Sequence, residues 1–137
     1  AKKWMADDPF VKLGVMNYRS YRWFAPVNLF KKGPAFLDIA PYWFAFLHRP
    51  VTAPVFSPED AQKYGEGHMA NIRRMGDLKL LLAAGPVSNS KKLRGIFVFR
   101  GNATREEIER EVAQDPLIQK GSLRMTLYRW YTAKGTL

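Results

Sequence analysis

The chain has 137 residues, enough for one compact core, and its 47% hydrophobic and 14% aromatic content argues against disorder throughout. It contains no cysteine, which excludes disulfides, thiolate metal sites and cysteine nucleophiles together. Twenty-two lysines and arginines stand against 12 aspartates and glutamates, a net charge of +10 that attracts polyanions such as nucleic acid, acidic lipid or an acidic protein surface.

That excess is spread along the chain, with +4 in residues 1–40 (7 basic, 3 acidic) and +6 in residues 41–137 (15 basic, 9 acidic). No run of five like charges occurs. A generally basic surface is therefore preferred to a dedicated nucleic-acid face. The longest apolar runs, residues 42–47 and 80–84, fall far short of the roughly 20 residues a membrane-spanning helix needs. No secretory signal is visible, and a start at Ala1 rather than Met suits a processed or trimmed chain.

Residues 1–40 carry Trp4, Phe10, Tyr18, Tyr21, Trp23, Phe24, Phe30 and Phe36, interleaved with Lys12, Arg19, Arg22, Lys31 and Lys32. They follow neither a helical nor a strand period, and Pro9, Pro26, Pro34 and Pro41 punctuate them. A short helix around residues 11–24 is expected, with the remainder extended or looped.

From residue 41 the pattern is regular. Residues 42–48 are apolar on both alternating faces, Trp43, Ala45 and Leu47 on one and Tyr42, Phe44 and Phe46 on the other, which predicts a central strand buried on both sides. Pro50 and Pro54 end it. Ser57-Pro58-Glu59-Asp60 starts a helix: serine as N-cap, proline at the first helical position, acids near the positive dipole end. Ala61, Tyr64, His68, Ile72 and Met75 then form one helical stripe that stops near Gly76. Residues 78–84 predict a short strand closed by Gly85-Pro86, and residues 93–100 a third strand, again apolar on both faces. Thr104 and Glu107 form a capping box for a second helix that turns Ile108 and Val112 inward. On its outer face Glu106 and Arg110 make an i,i+4 pair worth about 0.3 kcal/mol. Asp115-Pro116 marks the end region of this helix, and residues 122–131 predict the last strand.

The order β-α-β-β-α-β is the split unit of α+β, ferredoxin-like folds with an antiparallel sheet. Two helices cover one face of such a sheet, yet its first and third strands are apolar on both. A second copy packed sheet to sheet about a two-fold axis, the dimeric α/β-barrel arrangement, is the expected cover. The alternative is that residues 1–40 fold back over that face. The chain therefore divides into an aromatic, basic extension (1–40) and a ferredoxin-like domain (41–137).

Several blocks within that domain carry a family resemblance: the Ser57-Pro58-Glu59-Asp60 helix start, His68-Met69-Ala70-Asn71-Ile72-Arg73-Arg74-Met75, Leu80-Leu81-Leu82-Ala83-Ala84-Gly85-Pro86, Leu93-Arg94-Gly95-Ile96-Phe97-Val98-Phe99, Val112-Ala113-Gln114-Asp115-Pro116 and Trp130-Tyr131-Thr132-Ala133-Lys134-Gly135. In this order they resemble the YCII-related family over nearly all of residues 41–137. The resemblance implies a dimeric α/β barrel of the muconolactone-isomerase-like kind and a His–Asp pair in a cleft beside the sheet. It implies a fold rather than a particular reaction. Residues 1–40 lie outside the family pattern.

His68 sits on the apolar stripe of the first helix, where an imidazole needs partners for its ring nitrogens. Asp115 follows the second helix on the same side of the sheet. A carboxylate on one ring nitrogen would fix the tautomer and raise the basicity of the other, giving a proton-transfer pair suited to isomerisation or to abstraction beside a carbonyl. The competing readings are a plain tie between helices and an Asp115 spent on its own turn. Arg73, Arg74 and Arg94 can orient an anionic substrate or simply lie solvated. His48, at the end of the first strand, has no partner in the sequence.

Two histidines without cysteine leave no zinc constellation, and no metal or other cofactor is expected. Gly65-Glu66-Gly67 is no phosphate loop, and no serine sits in a nucleophile elbow. The aromatic extension is the other functional candidate. Fully burying one such ring is worth roughly 1.5–3 kcal/mol, so the rings need a surface: this domain, a partner, or stacked RNA bases. An extended arm wrapping a neighbour is preferred, with Trp4, Phe10, Tyr18, Tyr21, Trp23, Phe24 and Phe30 as partner contacts.

Two functions are carried forward. One is a non-catalytic accessory subunit, docked by residues 1–40 into a larger assembly, mitochondrial on composition. The other is a small cytoplasmic enzyme or ligand-binding protein using His68 and Asp115. The first is preferred on sequence, because it alone accounts for the extension.

Overall fold

The structure, a computed structural model, describes residues 2–31 and 38–136; Lys32, Pro34 and Phe36 lie outside the described residues. Two short helices, α1 (Lys2–Asp7) and α2 (Pro9–Lys12), open the chain. They are followed by β1 (Ile39–His48), α3 (Pro58–Asp77), β2 (Leu81–Pro86), β3 (Leu93–Phe99), α4 (Arg105–Val112), α5 (Pro116–Gln119) and β4 (Arg124–Ala133). The four strands form one antiparallel sheet ordered β2-β3-β1-β4. The chain is thus α+β with a ferredoxin-like sheet.

The helix expected around residues 11–24 does not form. Asp8 caps α2 by accepting from the Phe10 and Val11 amides, at 2.8 and 3.3 Å, but the helix stops at Lys12. The aromatics beyond it present no continuous helical stripe to bury. Strand β1 starts earlier than the pattern predicts and includes Pro41. That proline lies where β3 no longer pairs with β1, since their ladder begins at Trp43 opposite Phe99, so a missing N–H costs little there. β2 starts later, because Leu78 caps α3 and Lys79, at φ 55°, turns the chain into the sheet.

The helix starts form as their residues predict. Ser57 accepts from the Asp60 amide at 3.2 Å, and Thr104 from the Glu107 amide at 3.1 Å. The outer half of the second cap is different. Glu107 does not reach back to Thr104 but pairs with Arg100 at 2.5 Å. Nor do Glu106 and Arg110 pair. Arg105 takes Glu109 at 3.0 Å, and Arg110 takes its neighbour Glu111 at 3.1 Å.

The main core lies between the sheet and the helices. Trp43, Ala45 and Leu47 from β1, Phe97 and Phe99 from β3, and Leu127 from β4 meet Met75 of α3 and Ile108 and Val112 of α4. A partly buried polar lock joins α3 and α4. Arg74 pairs with Glu111 at 2.6 Å and holds the Asn71 side-chain oxygen at 2.8 Å, while the Asn71 amide donates to the Glu111 carbonyl at 3.2 Å.

The opposite face is partly covered by the chain itself. Trp23 forms a β-bridge with Val87 and packs with Val87, Leu93, Ile96, Phe44 and Phe46. The segment before β1 thus folds back over the β2–β3 half. The β1–β4 half keeps an aromatic lattice: Phe44–Trp130 at 5.5 Å between centroids, Phe46–Tyr128 at 5.9 Å and Tyr42–Trp130 at 6.1 Å. Tyr128 there is 52% exposed.

The hydrogen bonds from Arg74, then from Arg110, hold the Glu111 carboxyl below its ordinary value near 4.5. A depressed carboxylate contributes stability above its unfolded-state value and loses it as pH falls through the folded one. Glu111→Gln should therefore lower stability at neutral pH, with the gap to the parent closing as the pH drops below 4.5, measured by urea denaturation across that range.

Candidate functional site

α3 carries His68 toward the sheet, and α5 begins immediately after Asp115. The two meet: His68 Nδ1 lies 2.5 Å from Asp115 Oδ2, and Asp115 is only 1% exposed. Asp115 is also the N-cap of α5. Its other oxygen, Oδ1, accepts from the Leu117 amide at 2.9 Å, with Pro116 at the first helical position. Capping fixes which way the carboxylate faces, so one oxygen is spent on the helix and the other is aimed at His68. Asp115 therefore starts a helix instead of ending one; the four-residue α5 is too short to show a period in the sequence.

The approach of α5 to α3 rests on Gly67. A Cβ built there would meet Pro116 Cγ at 2.6 Å, so only a bare backbone lets the two segments touch. In the sequence Gly67 stands out only within Gly65-Glu66-Gly67, which is no phosphate loop. Its signal was position, next to His68, but nothing in the chain pointed to Pro116 as its neighbour.

The His68 ring stacks on Phe97, with centroids 6.3 Å apart and 17° between planes. It forms part of the wall of a cleft of about 310 Å³ between α3 and the β2–β3 side of the sheet. Leu47, Ile72, Phe97 and Leu123 make that wall apolar, and Arg94 also lines it. Among the described residues no carboxylate lines the cleft, and neither His68 Nε2 nor the Arg94 guanidinium makes a hydrogen bond or ion pair. With Nδ1 facing the carboxylate, the tautomer that donates from Nδ1 leaves Nε2 as the acceptor available to the cleft.

The other predicted site residues separate. Arg73 is exposed and lies five residues beyond His68, about 140° round the helix, so it does not reach the cleft. Arg74 is committed to Glu111 and Asn71. His48 sits on the opposite face of the sheet, against Phe46 at 6.0 Å. Of the partner contacts, Trp23 packs on its own sheet, whereas Trp4, Phe10, Tyr18, Tyr21, Phe24 and Phe30 stay exposed. A wider recess of about 490 Å³, between the loop after β1 and the α4–α5 segment, contains no histidine; its Glu109 is already paired with Arg105. Among the described residues no group of three or more His, Asp or Glu could hold a metal ion, and no helix is long and apolar enough to cross a membrane.

No family model matches the chain, and no curated protein matches it. Among solved structures it is similar to the 5-chloro-2-hydroxyhydroquinone dehydrochlorinase of Burkholderia phenoliruptrix AC1100, in complex with 2,5-dihydroxybenzoquinone. The identity is 14% and the TM-score 0.48, over 65% of this chain and 92% of that one. Nothing about residues or reaction is transferred from that likeness.

Asp115→Asn keeps an oxygen for the Leu117 amide but removes the charge facing Nδ1. It should cost about 1–3 kcal/mol in denaturant titrations. Nitrogen-15 shifts of His68 should also show that Nδ1–H no longer dominates; an unchanged tautomer would mean that the carboxylate does not set it.

Proposed function

We propose that this chain is a small proton-transfer enzyme in which His68 is the base, Asp115 holds it, and Arg94 receives the charge of a small anionic substrate. The observation that carries this reading is the 2.5 Å contact between His68 and a nearly fully buried carboxylate at the wall of a cleft. In the reaction Nε2 takes a proton from a carbon beside a carbonyl, and the electron pair of the broken C–H bond moves onto the carbonyl oxygen as an enolate. The imidazolium, paired with Asp115, then returns the proton to the same carbon, which is exchange, or, where a conjugated double bond makes the enolate a dienolate, to its far end as the double bond shifts, which is isomerisation. Apolar walls raise the worth of each electrostatic contact inside. Among the described residues Arg94 has no ion-pair partner and no carboxylate lines the cleft, which favours an anion. The YCII-like blocks of residues 41–137 agree with a His–Asp cleft of this kind.

Deuterium wash-in from heavy water into small enolisable keto acids, followed by proton NMR, tests this. The parent chain should accelerate exchange, His68→Gln should slow it by about 10²–10⁴-fold, and Arg94→Ala should raise the substrate concentration needed. A parent chain that leaves every such acid unlabelled would count against the proposal.

A second reading is kept because one observation favours it: Trp4, Phe10, Phe24 and Phe30 are 80%, 57%, 55% and 53% exposed. Such rings suit a non-catalytic accessory subunit docked through its extension into a larger, mitochondrial assembly. The chain isolated from its own cells should then carry stoichiometric partners, and changing these four rings to serine should strip them. A chain that purifies alone would defeat this reading.

A further inference from the structure

The extension touches the sheet directly behind the cleft. The Phe24 amide donates to the Pro86 carbonyl at 3.1 Å, and the Ser88 amide to the Arg22 carbonyl at 3.2 Å, with the Trp23–Val87 bridge between them. The Trp23 indole N–H donates to the Gly85 carbonyl at 3.2 Å. Asn89 clasps the incoming segment by its side chain, accepting from the Arg22 amide at 2.7 Å and donating to the Ser20 carbonyl at 3.3 Å. Gly85 is shaped for this contact, since a Cβ there would meet the Phe24 carbonyl oxygen at 1.9 Å.

Gly85, Pro86 and Val87 carry this contact to the cleft. Gly85 and Pro86 line it. The Val87 amide donates to the Arg94 carbonyl at 2.9 Å, so the bridge residue is tied to the backbone of the unpaired arginine. Trp23 packs on Ile96, and the next residue, Phe97, carries the stacked His68 on the other face. We propose that Trp23 is a positioning residue: residues 20–24 form an extended segment, bridged to the sheet at Trp23–Val87, that braces the β2–β3 wall and so sets the separation of Arg94 from His68. The inference rests on the cleft reading above for its ligand, and on geometry alone for the brace.

The test uses full-length chains: the parent, Trp23→Ala, Trp23→Phe and Asn89→Ala. Asn89 does not line the cleft, so its variant loosens the brace without touching the site. Benzoate serves as the anionic probe, and its affinity and the His68 ring-proton shifts are followed by NMR, with trypsin cleavage at Arg22 reporting release of the segment. Trp23→Ala and Asn89→Ala should release the Arg22 backbone and speed cleavage after it, weaken benzoate about two- to thirty-fold and move the His68 ring signals, and Trp23→Phe should restore most of the affinity. A purely stabilising segment would lower the melting temperature of these variants and leave both affinity and signals unchanged, which overturns the proposal. Should the parent not bind benzoate, the anion reading fails by itself; the brace is still decided by the His68 signals, which must move when the segment is released. If Trp23→Ala does not fold, Asn89→Ala and Trp23→Phe decide the same question.

Discussion

Two helices shelter one side of a four-stranded sheet, and in this chain the strands at its centre are apolar on both sides. Everything else is arranged around that excess. On the helix side, Met75, Ile108 and Val112 close a core around Phe97 and Phe99. On the other side Trp23 returns from the extension and seals the β2–β3 half, leaving the rings of β1 and β4 as an open lattice. The wall between these two packings is a single sheet layer, and the cleft lies on its helix side. What presses on one face of β3 is felt one residue later on the other.

The same economy shapes the His68–Asp115 pair. A carboxylate buried without partners would be expensive, and Asp115 has one for each oxygen, a helix amide and an imidazole. The cap spans only two residues, so backbone geometry constrains the direction of the second oxygen. The pair ties α3 to α5 and, in doing so, presents a ring nitrogen to an apolar cleft. A structural tie and a polarised base are here one arrangement.

Much of this was legible in the chain, and for local reasons. Ser57 and Thr104 cap because short hydroxyl side chains reach amides three residues on. The alternating faces of β1 and the stripe holding His68 and Met75 follow from period alone. The facing of His68 and Asp115 followed from placing both helices on one side of the sheet. What period cannot supply is the choice among competing charges. Glu107 takes Arg100 at the end of β3 rather than its own cap, and Glu111 takes Arg74 of α3, 37 residues away, as well as its neighbour Arg110. Trp23 was read as a partner contact for the same reason: its partners, Val87 and Ile96, lie more than sixty residues away.

Gly67 and Pro116 have a consequence for how such a chain can change over time. The pair occupies a gap that admits no further carbon, and Pro116 cannot shrink without giving up the preset start of α5. A bulkier residue at 67, or a change at 116, would push α5 away from α3 and so pull the carboxylate off the imidazole, although neither residue carries a charge or a proton.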